Sequence, residues 1–290
     1  MRGRAAEALG HIGAKGSAPA IGQMVAEYAT SAPVAAMQPD DEAAAVAPEA
    51  EAFKLGLFAL VRLKAYEPLA AAVLANGQPV TAWWPVAYAL QRVEDPRAVP
   101  ALLQLLTTNG RYTRAFAARG LGPLKDTSAI KPLLALIDPA AKAGLEPTVA
   151  AMRSLAQLGA TDASAALSRL AGAATTHPNV RLEAVAALGT LRAADGLATV
   201  QDLLTDDWPE MRAAAIRAAA RAAREPVAET ARLQTPDGVH YAQYSFWPSL
   251  RILNGFVQSL VGLYDVAQIT GDPRAAQLFA DGDATARTEV

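Results

Sequence analysis

Short apolar stripes at helical spacing recur from the first residue to about 224, and they recur with a beat. Aligning RAAEALGHIG, LGLFALVRL, VAYALQRV, AARGLGPL, MRSLAQL, AVAALGTL and RAAARAA places an apolar anchor at Leu9, Leu60, Leu90, Leu121, Leu155, Leu188 and Ala219. After a first interval of 51 residues the spacings are 30, 31, 34, 33 and 31. Three residues beyond each anchor stands a second apolar position: Ile12, Leu63, Val93, Leu124, Leu158, Leu191 and Ala222. Positions i and i+3 share one face of a helix, so every unit presents the same stripe.

A short polar break follows each anchor, and then a second apolar stretch: SAPAIGQMV, YEPLAAAVL, RAVPALLQLL, SAIKPLLALI, ASAALSRLA and GLATVQDLL. Pro19, Pro68, Pro100 and Pro132 fall near its start. There a missing N–H is harmless, because first-turn donors have no intrahelical partner. Two helices per unit of about 32 residues predict a right-handed α-solenoid of helical hairpins.

Two places depart from the beat. Residues 27–50, EYATSAPVAAMQPDDEAAAVAPEA, lengthen the first interval and predict a solvated surface insertion with no apolar period. Trp83 and Trp84 stand where other units carry an arginine seven residues before the anchor, at Arg2, Arg114, Arg181 and Arg212. The pair reads either as inter-repeat packing or, if exposed on the concave face, as a binding site for a protein partner.

At the seventh unit the second helix does not arrive. Residues 225–236 are polar and punctuated by Pro, which suits a linker or seam. Residues 235–290 then hold seven of the seventeen aromatics, so a core of larger side chains begins there. From Ile252, the apolar residues Phe256, Leu260, Leu263 and Tyr264 keep helical spacing, and ITGDPRAAQLF marks a stop and a new start. Asn254-Gly255 lacks the flanking alternation a hairpin would need. The expected class is all-α throughout, a solenoid followed by a partial helical segment of toroid type.

Composition narrows the function. The net charge of −2 includes no long run of either sign, which leaves no footprint for nucleic acid or an anionic membrane. No cysteine is present, so thiolate metal sites are excluded. His11, His177 and His240 are dispersed, with no metal-ligand spacing. Gly120 and Gly122 lack the third glycine of a dinucleotide site, so no cofactor or metal is implied. Asp40-Asp41 and Asp206-Asp207 read as capping or solvated acids. Neither a signal peptide nor a membrane span is visible, leaving the cytoplasm as the default compartment.

The wording of the repeats, as in VRLEAVAALGTL and RGRAAEALGHIG, resembles the short HEAT repeats of the type found in phycobilin lyase subunits, over residues 1–224. YALQRVEDPRAVPALLQLL and RYTRAFAARGLG are also similar to the helical repeats attached to some bacterial cyclophilin-type prolyl isomerases. The resemblance implies a non-catalytic scaffold for a protein partner.

YAQYSFWPSLRILNGFVQSLVGLYDVAQITGDPRAAQLF resembles the C-terminal domain of D-glucuronyl C5-epimerases, over residues 237–290. The shared elements are Tyr241 and Tyr244, Leu253 to Phe256, Gly262 to Asp265, and Thr270-Gly271. Such an enzyme removes the C5 proton of a uronic acid in a polysaccharide and returns one from the opposite face, which requires two positioned acid/base groups. By resemblance Tyr244 is the catalytic tyrosine, with Tyr241 and Asn254 as binding positions. Gln243 and Ser245 replace the family's Glu and Pro, removing an ionisable partner. The family's later Tyr, His and Arg segments would lie beyond Val290, so the epimerase-like part is expected to be incomplete. The alternative function is therefore a truncated carbohydrate-active protein, and a junction of unrelated genes is the third possibility. An array without terminal caps also predicts exposed apolar ends.

Overall fold

The computed structural model describes residues 1–41, 47–222, 232–235, 238–241, 260–261, 263–264, 267–268, 271 and 273–289. The chain divides into two compact units, Met1–Gly196 and Leu197–Val290.

The first unit is a stack of helical hairpins. They are α1 (Arg2–His11) with α2 (Ala18–Ala29), α4 (Pro48–Leu63) with α5 (Tyr66–Val73), and α6 (Trp84–Val93) with α7 (Val99–Leu105). Next come α8 (Arg111–Leu124) with α9 (Ile130–Ile137), α10 (Leu145–Leu158) with α11 (Ser164–Gly172), and α12 (Pro178–Leu191); α13 (Ala194–Asp202) starts where this unit ends. A single helical turn, α3 (Ala32–Ala35), lies between the first two hairpins. First helices pack on one another in chain order, α1 on α4, α4 on α6, α6 on α8, α8 on α10 and α10 on α12, while α2 packs on α5. This unit is an all-α solenoid of helical hairpins.

The anchors explain the stack. Leu60, Leu90, Leu121, Leu155 and Leu188 are all 0% exposed. Each contributes about 1.5–3 kcal/mol of burial to the seam between neighbouring hairpins. In the first hairpin Leu9 is only half-buried and Ile12 is 76% exposed. Between α1 and α4 the approach is too close for side chains. A Cβ on Gly3 would stand 2.6 Å from the Ala52 Cα, and one on Gly10 would stand 2.8 Å from the Ala59 Cα.

The turn inside each hairpin repeats as faithfully as the anchor. Four residues after each anchor the backbone turns left-handed, at Gly13, Lys64, Glu94, Lys125, Gly159 and Arg192, with φ between 53° and 73°. A left-handed residue ends a helix cleanly and frees the chain to reverse. In two hairpins an aspartate follows and holds the turn into the second helix, and a third aspartate, Asp138, holds the turn after α9. Asp95 Oδ1 accepts from Arg97 N at 3.0 Å, Asp126 Oδ1 from Ser128 N at 2.8 Å, and Asp138 Oδ1 from Ala140 N at 2.9 Å.

Two details depart from the purely helical expectation. β1 (Leu74–Ala75) pairs antiparallel with β2 (Gln78–Pro79) across Asn76-Gly77. Both turn residues have positive φ, 52° and 77°, the geometry an Asn-Gly pair adopts at least cost. In the second unit, α14 (Pro209–Ala222) is followed by β3 (Arg232–Thr235) paired antiparallel with β4 (Gly238–Tyr241), with Thr235 opposite Gly238. The polar stretch expected as a linker therefore ends in a strand, because its backbone groups find partners in β4. Positions 260–261, 263–264 and 267–268 are helical, and α15 (Pro273–Glu289) runs to the end of the described residues.

The described residues of the insertion at 27–50 do not form a solvated loop. α2 runs on to Ala29, Val34 of α3 is 0% exposed, and α4 starts at Pro48. Its centre is bonded to two later hairpins.

Candidate functional site

Seven residues before three of the anchors, an arginine bonds to backbone carbonyls between the hairpins. Arg114 Nη2 donates to the Ala143 carbonyl at 2.9 Å, and Arg181 Nε donates to the Ala171 carbonyl at 2.9 Å. In the second unit Arg212 Nη1 donates to the Asp206 and Asp207 carbonyls at 2.7 and 3.1 Å. Arg2 instead pairs with Glu27 at 2.8 Å and lies over the Tyr28 ring. A guanidinium can satisfy several loop carbonyls at once, which explains why arginine recurs there.

Phe53 and Trp83 occupy that same position in two consecutive hairpins and stack on each other, centroids 6.0 Å apart with planes 17° from parallel. Trp83 is 0% exposed. Its indole N–H still performs the arginine's task, donating to the Asp41 carbonyl at 2.8 Å. Trp84 Nε1 donates to the same carbonyl at 3.0 Å, and the Trp84 backbone N–H to the Pro39 carbonyl at 2.8 Å. Of the two readings of this pair, the geometry of Trp83 is that of packing. Trp84 is half-buried and remains partly accessible.

The other end of the inserted segment is equally occupied. The Asp40 carboxylate accepts from the backbone N–H of Tyr112 at 2.9 Å, of Thr113 at 3.2 Å, and of Arg111. It caps α8, whose own N-cap residue Gly110 has no side chain to do so. The fully buried Thr113 hydroxyl sits 2.9 Å from the Pro39 carbonyl. Residues 39–41 thus form a strap across the starts of α6 and α8.

Trp84 belongs to a ridge that sequence reasoning missed. Phe58 of α4, Trp84 and Tyr88 of α6, and Phe116 of α8 are each half-buried. Tyr88 meets Phe58 and Phe116 edge-on at 5.2 and 5.4 Å, and Trp84 tilts against the same two rings at 6.5 and 5.9 Å. The Arg119 guanidinium lies 5.6 Å from the Phe116 centroid. The signal was available: Phe58 and Tyr88 each stand two residues before an anchor, on the outward side of the same stripe.

Further along, an open cavity of about 810 Å³ lies between the loops that lead into α10 and α12. Its floor includes Ile137, Leu145, Leu170 and Val180, and its polar lining includes Lys142, Arg169 and His177.

Of the residues proposed from the epimerase resemblance, Tyr241 is the last residue of β4, and its side chain lies outside the described residues. Tyr244 and Asn254 lie outside them altogether. Among the described residues no group of three or more His, Asp or Glu side chains is placed to hold a metal. Among them, too, no helix is long and apolar enough to cross a membrane.

Stacked hairpins tied by a recurrent arginine define the class, an α-solenoid of HEAT-like repeats. Comparison with known families agrees. Residues 86–108 and 113–139 match the PBS lyase HEAT-like repeat, and residues 148–222 match HEAT repeats. Residues 214–290 match the D-glucuronyl C5-epimerase C-terminus, so the two matched ranges overlap within α14. No curated protein matches the chain. Among solved structures, the complex of CpcE and CpcF of phycocyanin lyase from Nostoc sp. PCC7120 is similar, with 21% identity, 80% of this chain and 89% of that chain covered, and a TM-score of 0.42. An engineered protein is similar with 20% identity, 81% and 64% covered, and a TM-score of 0.38.

Proposed function

We propose that the repeat array is a non-catalytic scaffold that binds a protein partner, seated on the ridge of Phe58, Trp84, Tyr88 and Phe116. The observation behind this reading is that four aromatic rings from three consecutive first helices are in mutual contact while each stays partly exposed. Large aromatic side chains in a contiguous partly exposed patch are the anchors of protein interfaces. Arg119 and Arg153, exposed on the same layer of helices, supply a polar margin. Replacing Tyr88 by a photo-crosslinking aromatic residue should trap one dominant protein in host extract. The Phe58→Ala, Phe116→Ala double variant should lose that adduct while its helical content is unchanged. An equal yield from the double variant would remove the ridge from the interface.

A second reading rests on the match over residues 214–290. In it, the array over residues 1–224 precedes an epimerase-like segment, residues 237–290, that acts on uronic acids of a polysaccharide, with Tyr244 as an acid/base group and Tyr241 and Asn254 as binding positions. Incubating the chain with a glucuronic-acid polysaccharide in deuterated water tests it. Deuterium entering C5, and lost with Tyr244→Phe, supports the reading; a spectrum without C5 exchange leaves the scaffold alone.

A further inference from the structure

The strap at residues 39–41 shows how this array seats an acidic turn, closed by the Asp41 N–H on the Gln38 carbonyl at 3.2 Å. Its Asp41 carbonyl takes the indole N–H groups of both Trp83 and Trp84, and its Asp40 carboxylate takes backbone N–H groups at the start of α8. The segment thereby spans two consecutive first helices, α6 and α8. Two hairpins further on, the loops leading into the next such pair, α10 and α12, enclose the cavity of about 810 Å³.

That cavity has a chemistry of its own. Its apolar floor is bordered by two cations and an imidazole, Lys142, Arg169 and His177, against one carboxylate, Asp138. Asp138 Oδ1 is already engaged by the Ala140 N–H at 2.9 Å, and His177 Nδ1 by the Asn179 N–H at 3.2 Å. Among the described residues no carboxylate stands within ion-pair distance of Lys142, Arg169 or His177. The nearby acid of α10, Glu146, pairs instead with Arg111 Nε at 3.5 Å and lies outside the lining. Some exposed arginines elsewhere in the array do have acidic partners, as Arg153 has Glu183 at 2.6 Å and Arg97 has Asp95 at 2.8 Å. An apolar trough with unpaired cations along its rim is complementary to an extended segment that carries both apolar side chains and carboxylates.

We propose that this cavity binds an acidic, extended peptide segment of the partner, held by Lys142 and Arg169. The inference deepens the scaffold reading by naming the chemistry of what is bound, and it uses a surface separate from the aromatic ridge.

The test is a titration of the full chain against a fluorescein-labelled peptide with the sequence of residues 34–41, VAAMQPDD, read by anisotropy. Saturable binding is expected, and it should weaken by about tenfold or more in the Lys142→Asn, Arg169→Gln double variant. The same loss is expected when both aspartates of the peptide are replaced by asparagine. Asparagine tolerates the left-handed backbone at position 142, so the variant should melt like the parent. Absence of saturation up to millimolar peptide, or unchanged affinity in the double variant, would overturn the proposal. So would octanoate displacing the peptide at equal concentration, since a small carboxylate would then be the ligand. Measuring both this titration and the crosslinking in the ridge variant separates the two ideas. Absence of peptide binding by the parent chain, with crosslinking still ridge-dependent, sinks the cavity alone, and ridge-independent crosslinking with saturable peptide binding sinks the ridge alone.

Discussion

The indole N–H of Trp83 donates to the backbone carbonyl of Asp41 at 2.8 Å, across 42 positions of sequence. This bond joins the inserted segment to the seam between the second and third hairpins. It also converts a position that elsewhere holds an arginine into a buried aromatic one.

Trp83→Phe keeps the stack on Phe53 and removes only the hydrogen bond. A loss of about 1 kcal/mol is expected in urea unfolding. Trp83→Ala should cost about 3–5 kcal/mol, since it also opens a cavity at a fully buried site. Trp84→Phe, at a half-buried position, should cost less than Trp83→Phe.

Asp40→Ala removes the carboxylate that caps α8 from a distance. The expected cost is about 1 kcal/mol, as for other N-cap losses. Because the same carboxylate holds the strap in place, limited proteolysis should cut within residues 36–47 faster in the variant. An unchanged cleavage pattern would show that Pro39 and Asp41 hold the strap without it.

Asp95 supplies a pH dependence. Hydrogen bonds from the Arg97 side chain, at 2.9 and 2.8 Å, and then from the Arg97 backbone hold its carboxyl below the ordinary 3.8. A carboxyl with a lowered folded pKa stabilises the fold above the unfolded value and loses that contribution as pH falls through the folded one. Stability should therefore be level between pH 5 and pH 7 as far as this group is concerned and should decline below about pH 4. In Asp95→Asn that part of the decline should be absent when urea midpoints are compared from pH 3 to pH 7.

Gly159 tests the repeated turn. Its φ is 73°, and a Cβ added there would meet nothing within 4 Å, so any cost of Gly159→Ala comes from the backbone alone. About 1 kcal/mol is expected from the left-handed conformation. A change near zero in the thermal midpoint would mean that the turn relaxes.

Much of this architecture was readable before any coordinates. The anchors Leu60 to Leu188 and their 30 to 34 residue spacing announced both the hairpins and the seams, because helical periodicity is written in neighbours three and four residues apart. The left-handed turns were half-hidden. Gly13 and Gly159 advertise them, whereas Lys64, Glu94, Lys125 and Arg192 adopt the same backbone without a residue type that signals it. The hairpin at Asn76-Gly77 was not read from the sequence, because its flanking strands are only two residues long and show no alternation.

By itself, then, the chain's sequence determined the repeat, the class of fold and the recurrent arginine, all of which depend on local spacing. The tertiary structure decided what residues 27–50 do, which of two adjacent tryptophans turns inward, and where the outward aromatics meet. Those outcomes depend on partners tens of residues apart: Asp40 caps α8 from 71 to 73 positions away, and Trp83 is spoken for by Asp41. A cap or an indole bond of that reach has no period to betray it, so only the packing of one hairpin on the next could place it.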